Sequence, residues 1–142
     1  MSDNPKNENG KRTRQTQQRG AIYQAIENAE GPLTVNEIHD VAKESVANIG
    51  LATIYRNIKL LLEAEEIQAV ILEDGVTRYE RAGLEHHHHF RCRLCERVYD
   101  LEVCPISIPD GSTLPGGFQI ENHDVTLYGT CPECNGHTQA PK

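Results

Sequence analysis

The sequence predicts an α+β chain: an N-terminal winged helix-turn-helix followed by a small α/β domain built round a four-cysteine metal site. Three observations carry that prediction. Three helical periodicities precede two β-prone runs separated by an Asp-Gly turn, which is the element order of a winged helix. Two C-x-x-C knuckles, Cys92-Arg-Leu-Cys95 and Cys131-Pro-Glu-Cys134, lie in the second half. The composition changes after Ala82-Gly83, with all five cysteines and six of the seven histidines following it. The 142 residues therefore divide into a flexible basic arm (1–13), a winged-helix domain (14–82) and a metal-binding domain (83–142).

Composition bounds the function. With 37% hydrophobic and 25% charged residues the chain is of the folded globular class. No apolar run approaches the ~20 residues of a bilayer span, and residues 1–17 contain no apolar stretch, so a cytoplasmic protein without membrane partners is expected. In a reducing compartment five cysteines point to metal ligation or thiol chemistry, not to disulfides. A net charge of −7 excludes a basic surface spread over the whole molecule. Nucleic-acid binding must then be focused, and residues 1–19 supply one focus, with Lys6, Lys11, Arg12, Arg14 and Arg19 against Asp3 and Glu8.

Taken in order, residues 1–13 are polar and cannot bury surface, which predicts the arm. A helix is expected from Thr16, with Ile22, Ala25, Ile26 and Ala29 on one face and Gly31-Pro32 as its stop. Thr34-Val35-Asn36-Glu37 reads as a capping box opening a second helix, with Val35, Ile38 and Val41/Ala42 as its apolar stripe. A third helix turns Leu51, Ile54, Ile58 and Leu61/Leu62 inward and Tyr55, Arg56 and Lys59 outward. The hairpin joins Ile67–Leu72 to Val76–Glu80 through Glu73-Asp74-Gly75. Beyond Gly83, strands are expected at His86–Arg93, Arg97–Leu101, Phe118–Glu121 and Asp124–Tyr128, with loop or at most a short helix from Cys104 to Gly117.

Paired knuckles place four thiolates tetrahedrally on one zinc ion, a closed shell with no position left for water or substrate. Redox dithiols or inert buried cysteines would each explain one pair and not the matched set. The run His86-His87-His88-His89 is internal and four long, unlike an affinity tag. On a strand it sends His86 and His88 to one face and His87 and His89 to the other, two half-sites that suit zinc, iron, nickel or copper. Glu80 and Asp100 are candidates to complete the His87/His89 side, and His123 the His86/His88 side. Cys104 lacks a partner in sequence and is either a buried apolar side chain or a further ligand. His39 reads as a surface histidine, and His137 falls in the tail.

For DNA the warrant is the third helix with the arm. Arg56 and Lys59 reach phosphates or guanine edges, Tyr55 meets a thymine methyl or a phosphate, and Arg14 or Arg19 follows the backbone or enters the minor groove. On charge alone a protein-interaction module is an equal reading.

Three segments together resemble the ferric uptake regulator family of bacterial metalloregulators, nearest to its zinc uptake regulator branch. They are Gly50-Leu-Ala-Thr-Ile-Tyr-Arg56, His86-His-His-His-Phe-Arg-Cys-Arg-Leu-Cys95 and Tyr128-Gly-Thr-Cys-Pro-Glu-Cys134. The resemblance implies a homodimer whose C-terminal α/β domain is the dimerisation domain and carries the four-cysteine structural zinc site. It further implies a second, regulatory metal that fits the dimer to an A/T-rich inverted repeat in double-stranded DNA. By position Glu80, His87, His89 and Asp100 match the sensing site, and His86, His88 and His123 an additional one, with Glu102, Cys104 or Asp110 in place of a missing glutamate. Tyr55 and Arg56 match the DNA-reading positions of the recognition helix and Arg14 the basic arm residue, with Thr53, Lys59 and Arg19 as further DNA-binding candidates.

Gly31-Pro32-Leu33 stands where iron and peroxide sensors usually carry a histidine, and Ala82 where the zinc branch often has a cysteine. The expectation is a zinc-sensing repressor of metal-homeostasis genes and not an enzyme. The alternatives are an iron-, manganese- or peroxide-responsive repressor of the same family, or a zinc buffer or chaperone without DNA affinity. A metallohydrolase would need an open metal position with a general base, and nothing marks a substrate pocket.

Overall fold

In a computed structural model of the chain the described residues are 5–84 and 87–138, with side chains described from 13 to 136 within those ranges. The chain forms two compact units, Met1–Gly83 and Leu84–Lys142.

The first unit contains α1 (Pro5–Glu27), α2 (Val35–Ser45), α3 (Leu51–Glu63), β1 (Ile67–Ile71) and β2 (Thr77–Arg81). Helix α1 starts well ahead of Thr16, so residues 5–13, expected as a flexible arm, are its first turns. The reason is chemical. Lys, Glu, Gln and Arg are good helix formers, and Pro5 suits a first turn because its missing amide would have no partner there. A helix without an apolar face leaves no periodic signal, and the stripe that betrays α1 begins only near Ile22.

Helix α2 has the expected capping box. The Glu37 amide donates to Thr34 Oγ1 at 3.2 Å, and the Thr34 amide donates to Glu37 Oε1 at 3.0 Å. Between α2 and α3, Asn48 takes a left-handed conformation (φ 66°), and His39 Nε2 lies 2.9 Å from the Ile49 carbonyl. His39 is thus half-buried and ties α2 to the turn that launches α3, in place of the surface role expected for it. Ile22, Ile26, Ile38, Ala42, Ile49, Ile54, Ile58, Leu61 and Ile67 form the core, with Tyr23 and Tyr79 packed against it. Each full-sized side chain buried there contributes about 1.5–3 kcal/mol relative to exposure. Leu51, expected inward, is instead exposed at the first turn of α3.

The wing is the antiparallel pair β1–β2, with Gln68 opposite Glu80 and Ile71 opposite Thr77. Gly75 takes the positive φ (74°) that its turn requires. The buried Arg78 guanidinium grips both Asp74 carboxylate oxygens, at 3.2 and 3.0 Å, which fixes the turn from below. Leu33 and Tyr79 exchange two backbone hydrogen bonds, 2.9 and 2.8 Å, and pin the wing to the link before α2.

The second unit is a three-stranded sheet of order β4-β3-β7, from β3 (His88–Cys92), β4 (Val98–Leu101) and β7 (Thr126–Gly129). Strand β3 is antiparallel to β4 and parallel to β7. Strand β6 (Phe118–Gln119) forms within the stretch expected as a strand and pairs with β5 (Thr113–Leu114), which lies in the stretch expected as loop or short helix. Their turn is made by Gly116 and Gly117, both at positive φ. Helix α4 (Pro132–Thr138) starts inside the second knuckle, after Cys131, and contains Cys134. No described helix is long and apolar enough to cross a membrane.

Candidate metal centres and nucleic-acid interface

Strand β3 organises the second unit's chemistry, because its alternating side chains serve two faces and its last residue opens the first knuckle. Cys92 ends β3, Cys95 lies in the turn towards β4 beside left-handed Glu96 (φ 64°), Cys131 precedes α4, and Cys134 lies within it. Their four sulfurs all lie within 4.8 Å of one another, and Cys95 Sγ is 3.9 Å from Cys131 Sγ. A tetrahedral zinc with Zn–S near 2.3 Å requires sulfur separations of about 3.8 Å, so the arrangement fits that ion. All five cysteines are free thiols.

The knuckle supplies its own anion stabilisation. Backbone amides of Cys95 and Cys131, the latter 3.4 Å away, hold the Cys92 thiol down to about 6. The Tyr99 hydroxyl first, and the Cys134 amide second, lower Cys131. Desolvation raises Cys95, and sharing a site with Cys131 pushes Cys134 up to about 12. Hydrogen bonds thus favour the thiolate at Cys92 and Cys131, whereas desolvation and the neighbouring sulfurs favour the thiol at Cys95 and Cys134.

On one face of the sheet His87, His89 and Asp100 converge. Asp100 is the register partner of His89 across β3–β4, so both side chains leave the sheet on the same side. Asp100 Oδ1 lies 3.4 Å from His89 Nε2 and 3.6 Å from His87 Nε2, and the two imidazoles meet edge to face at 4.9 Å. Glu80 belongs to the first unit. It is buried on β2, and its Oε1 accepts a 2.7 Å hydrogen bond from Gln68 Nε2. Gln68 was missed in the sequence, although the Asp-Gly turn sets the register that places it opposite Glu80.

On the other face His88 is 1% exposed; its Nε2 lies 3.2 Å from Cys104 Sγ, which is 3.3 Å from His123 Nε2. The Val125 amide reaches His88 Nδ1 at 3.2 Å, and Asp110 Oδ1 stands 3.7 Å behind His123 Nδ1. Of the three candidates for the missing glutamate, Cys104 is the one in the cluster; Asp110 backs a histidine, and Glu102 is exposed outside the cluster. His86, expected beside His88, lies outside the described residues.

In the first unit Tyr55 is 59% exposed, Arg56 and Lys59 are exposed, and Thr53 is half-buried, all on α3. Arg14 is exposed on α1, and Arg19 pairs with Glu66 at 3.3 Å. A cleft of about 380 Å³ between α1 and α3 is lined by Gln15, Gln18, Arg19, Arg56 and Asn57 among others. Amides and cations in one cleft are the donor set that phosphate oxygens take.

The sequence profile described as the ferric uptake regulator family matches residues 10–128. The chain belongs to the ferric uptake regulator family. A ferric uptake regulation protein of Bacillus subtilis (strain 168) is 32% identical over 124 residues, covering 84% of this chain and 83% of that one. A zinc uptake regulation protein of Mycobacterium tuberculosis (strain ATCC 25618 / H37Rv) is 28% identical over 126 residues, covering 85% and 94%. Among solved structures, a zinc-bound manganese uptake regulator is similar with a TM-score of 0.66 and 26% identity over 80% of this chain and 87% of that one. This family member is therefore a metal-responsive regulator of transcription, built as a winged helix with a metal-binding α/β domain.

Proposed function

We propose that this ferric uptake regulator family member is a zinc-sensing repressor that binds an A/T-rich inverted repeat as a homodimer. The observation that carries the reading is the convergence of His87, His89 and Asp100, set just past the Gly83 boundary between two separately packed units. A metal held by those three side chains together with Glu80 of the wing restrains the DNA-binding unit in one orientation. The ion acts only through its differential affinity for the two orientations, and couplings of ~1–3 kcal/mol tighten DNA binding by ~5- to 150-fold. Gln68 supports this role by orienting the Glu80 carboxylate.

The four knuckle cysteines hold a structural zinc in this reading, and His88, Cys104 and His123, with His86, form the additional site. Zinc is favoured as the signal because the additional cluster carries a thiol and because Gly31-Pro32 occupies the position before α2. Dimerisation is supported by apolar side chains left exposed on the second unit: Val103 (77%), Phe118 (68%), Leu94 (61%) and Leu114 (47%). Arg56, Lys59, Tyr55 and Thr53 on α3, with Arg14 and Arg19 on α1, face the operator. A second reading, an iron- or manganese-responsive repressor, is favoured by the two-imidazole, one-carboxylate donor set, which suits those ions as well.

The test is fluorescence anisotropy on a labelled A/T-rich inverted-repeat duplex under buffered zinc, manganese or anaerobic iron(II). The expected result is tightening by zinc that is lost in His87→Ala and in His89→Ala while both variants stay dimeric. Tightening by manganese or iron but not zinc selects the second reading. Absence of DNA binding under every metal makes the protein a zinc buffer.

A further inference from the structure

The two metal clusters on the faces of the sheet differ in kind. His87, His89 and Asp100 offer nitrogen and oxygen, whereas His88, Cys104 and His123 offer two nitrogens and a sulfur. A sulfur donor suits zinc and disfavours manganese, and it is oxidisable where a carboxylate is not. Its placement matters equally. His88 is 1% exposed, His123 is half-buried and Cys104 is an exposed residue, so the cluster is anchored from within and opens to solvent on the Cys104 side. In the knuckle, by contrast, Cys92 and Cys131 are fully buried and Cys134 half-buried, with Cys95 alone of the four exposed, and each sulfur there has three sulfur neighbours with which to share one ion.

We propose that the His88–Cys104–His123 cluster is a thiol-switched zinc centre, which releases its metal when a hydroperoxide oxidises Cys104. The inference rests on the metalloregulator reading and gives that regulator a second input. The Cys104 thiolate attacks one peroxide oxygen, forming the S–O bond as the O–O bond breaks. Sulfur gives up two electrons, and the hydroxide or alkoxide released is protonated by the buffer acid to water or alcohol. The product is a sulfenic acid, uncharged and a poor ligand, which leaves two imidazoles to hold the ion. Two equivalents of a small thiol reverse the step, yielding the Cys104 thiol, one disulfide and water.

The experiment treats zinc-saturated dimer with one equivalent of hydrogen peroxide per chain. Zinc passing to a chromogenic chelator is measured, and sulfenic acid is located with a diketone probe and peptide mass spectrometry. One zinc per chain should leave, the probe should fall on Cys104, and a thiol should restore binding. Cys104→Ser should hold this zinc more weakly by more than the ~10- to 100-fold typical of losing an outer-shell partner, and peroxide at that dose should add nothing to the release seen in its untreated sample. Retention of zinc with Cys104 oxidised, prior labelling of the knuckle cysteines, or equal release from Cys104→Ser would overturn the switch. Operator binding is measured on the same zinc-loaded sample before peroxide. Zinc-tightened operator binding without peroxide release removes the switch alone, and no operator binding removes the repressor reading with it.

Discussion

A carboxylate placed opposite a histidine across two antiparallel strands meets it on one face of the sheet, and Asp100 does this with His89. Replacing that oxygen donor by an amide keeps the shape and removes the charge, so Asp100→Asn should lower the zinc-dependent tightening on operator DNA. Asp110→Asn, whose carboxylate faces His123 and not the His87/His89 side, should leave that tightening in place; equal effects from both in anisotropy would count against separate centres. On α3, Arg56 projects from an exposed face and bears no metal. Arg56→Ala should cost about 1–3 kcal/mol of operator affinity with metal content unchanged by elemental analysis. The knuckle thiols carry a pH prediction. Cys95 is raised, and Cys134 is pushed up to about 12, so both are protonated at neutral pH, whereas Cys92 is held down to about 6. Zinc binding near pH 7 must therefore release at least two protons per knuckle, and affinity must rise with pH. Calorimetry in buffers of different ionisation enthalpy reads that number, and release of fewer than two protons would refute the assignment.

At the scale of elements, the α2 capping box is the feature whose removal isolates one local effect. Thr34→Ala deletes the hydroxyl that accepts from Glu37, and should cost about 1 kcal/mol, lowering Tm of the DNA-binding unit by roughly 4–8 °C. Differential scanning calorimetry with zinc present would detect it, and an unchanged Tm would mean that tertiary packing alone fixes α2. The capping box was legible in the sequence because it is written in four consecutive residues. So were the wing, with its Asp-Gly turn, and the inward stripes of α2 and α3. The start of α1 was not, since the sequence of residues 5–13 is polar and carries no apolar periodicity. Helix α4 escaped for a related reason: seven residues with Gly136 inside carry no periodicity, and the helix is recognisable only through the knuckle it follows. The alternation of β3 told which histidines share a face, but not which loop residue joins them. Cys104 joins through a loop after β4, where local sequence fixes no direction.

At the scale of the molecule, an acidic chain of net charge −7 gains nothing from long-range attraction to DNA and depends on a few cations placed correctly. Control by orientation follows naturally, because holding two winged helices at the operator's spacing brings those few contacts into register on both half-sites at once. The two classes of metal site should then fail differently under chelation. Half-buried nitrogen and oxygen donors release an ion more readily than four thiolates, two of them on fully buried cysteines, which hold a zinc that is part of the fold. Dialysis against a weak chelator should abolish operator binding, leave one zinc per chain, and preserve both the circular dichroism spectrum and the dimer. A strong chelator with acid should remove the last zinc and unfold the second unit, losing the dimer. Cys131→Ser should behave as the strongly chelated protein from the outset. If native mass spectrometry instead found dimers with no zinc at all that still refolded and bound operator on re-addition of zinc, the four-cysteine centre would be regulatory, and the division of labour between the centres would have to be reversed.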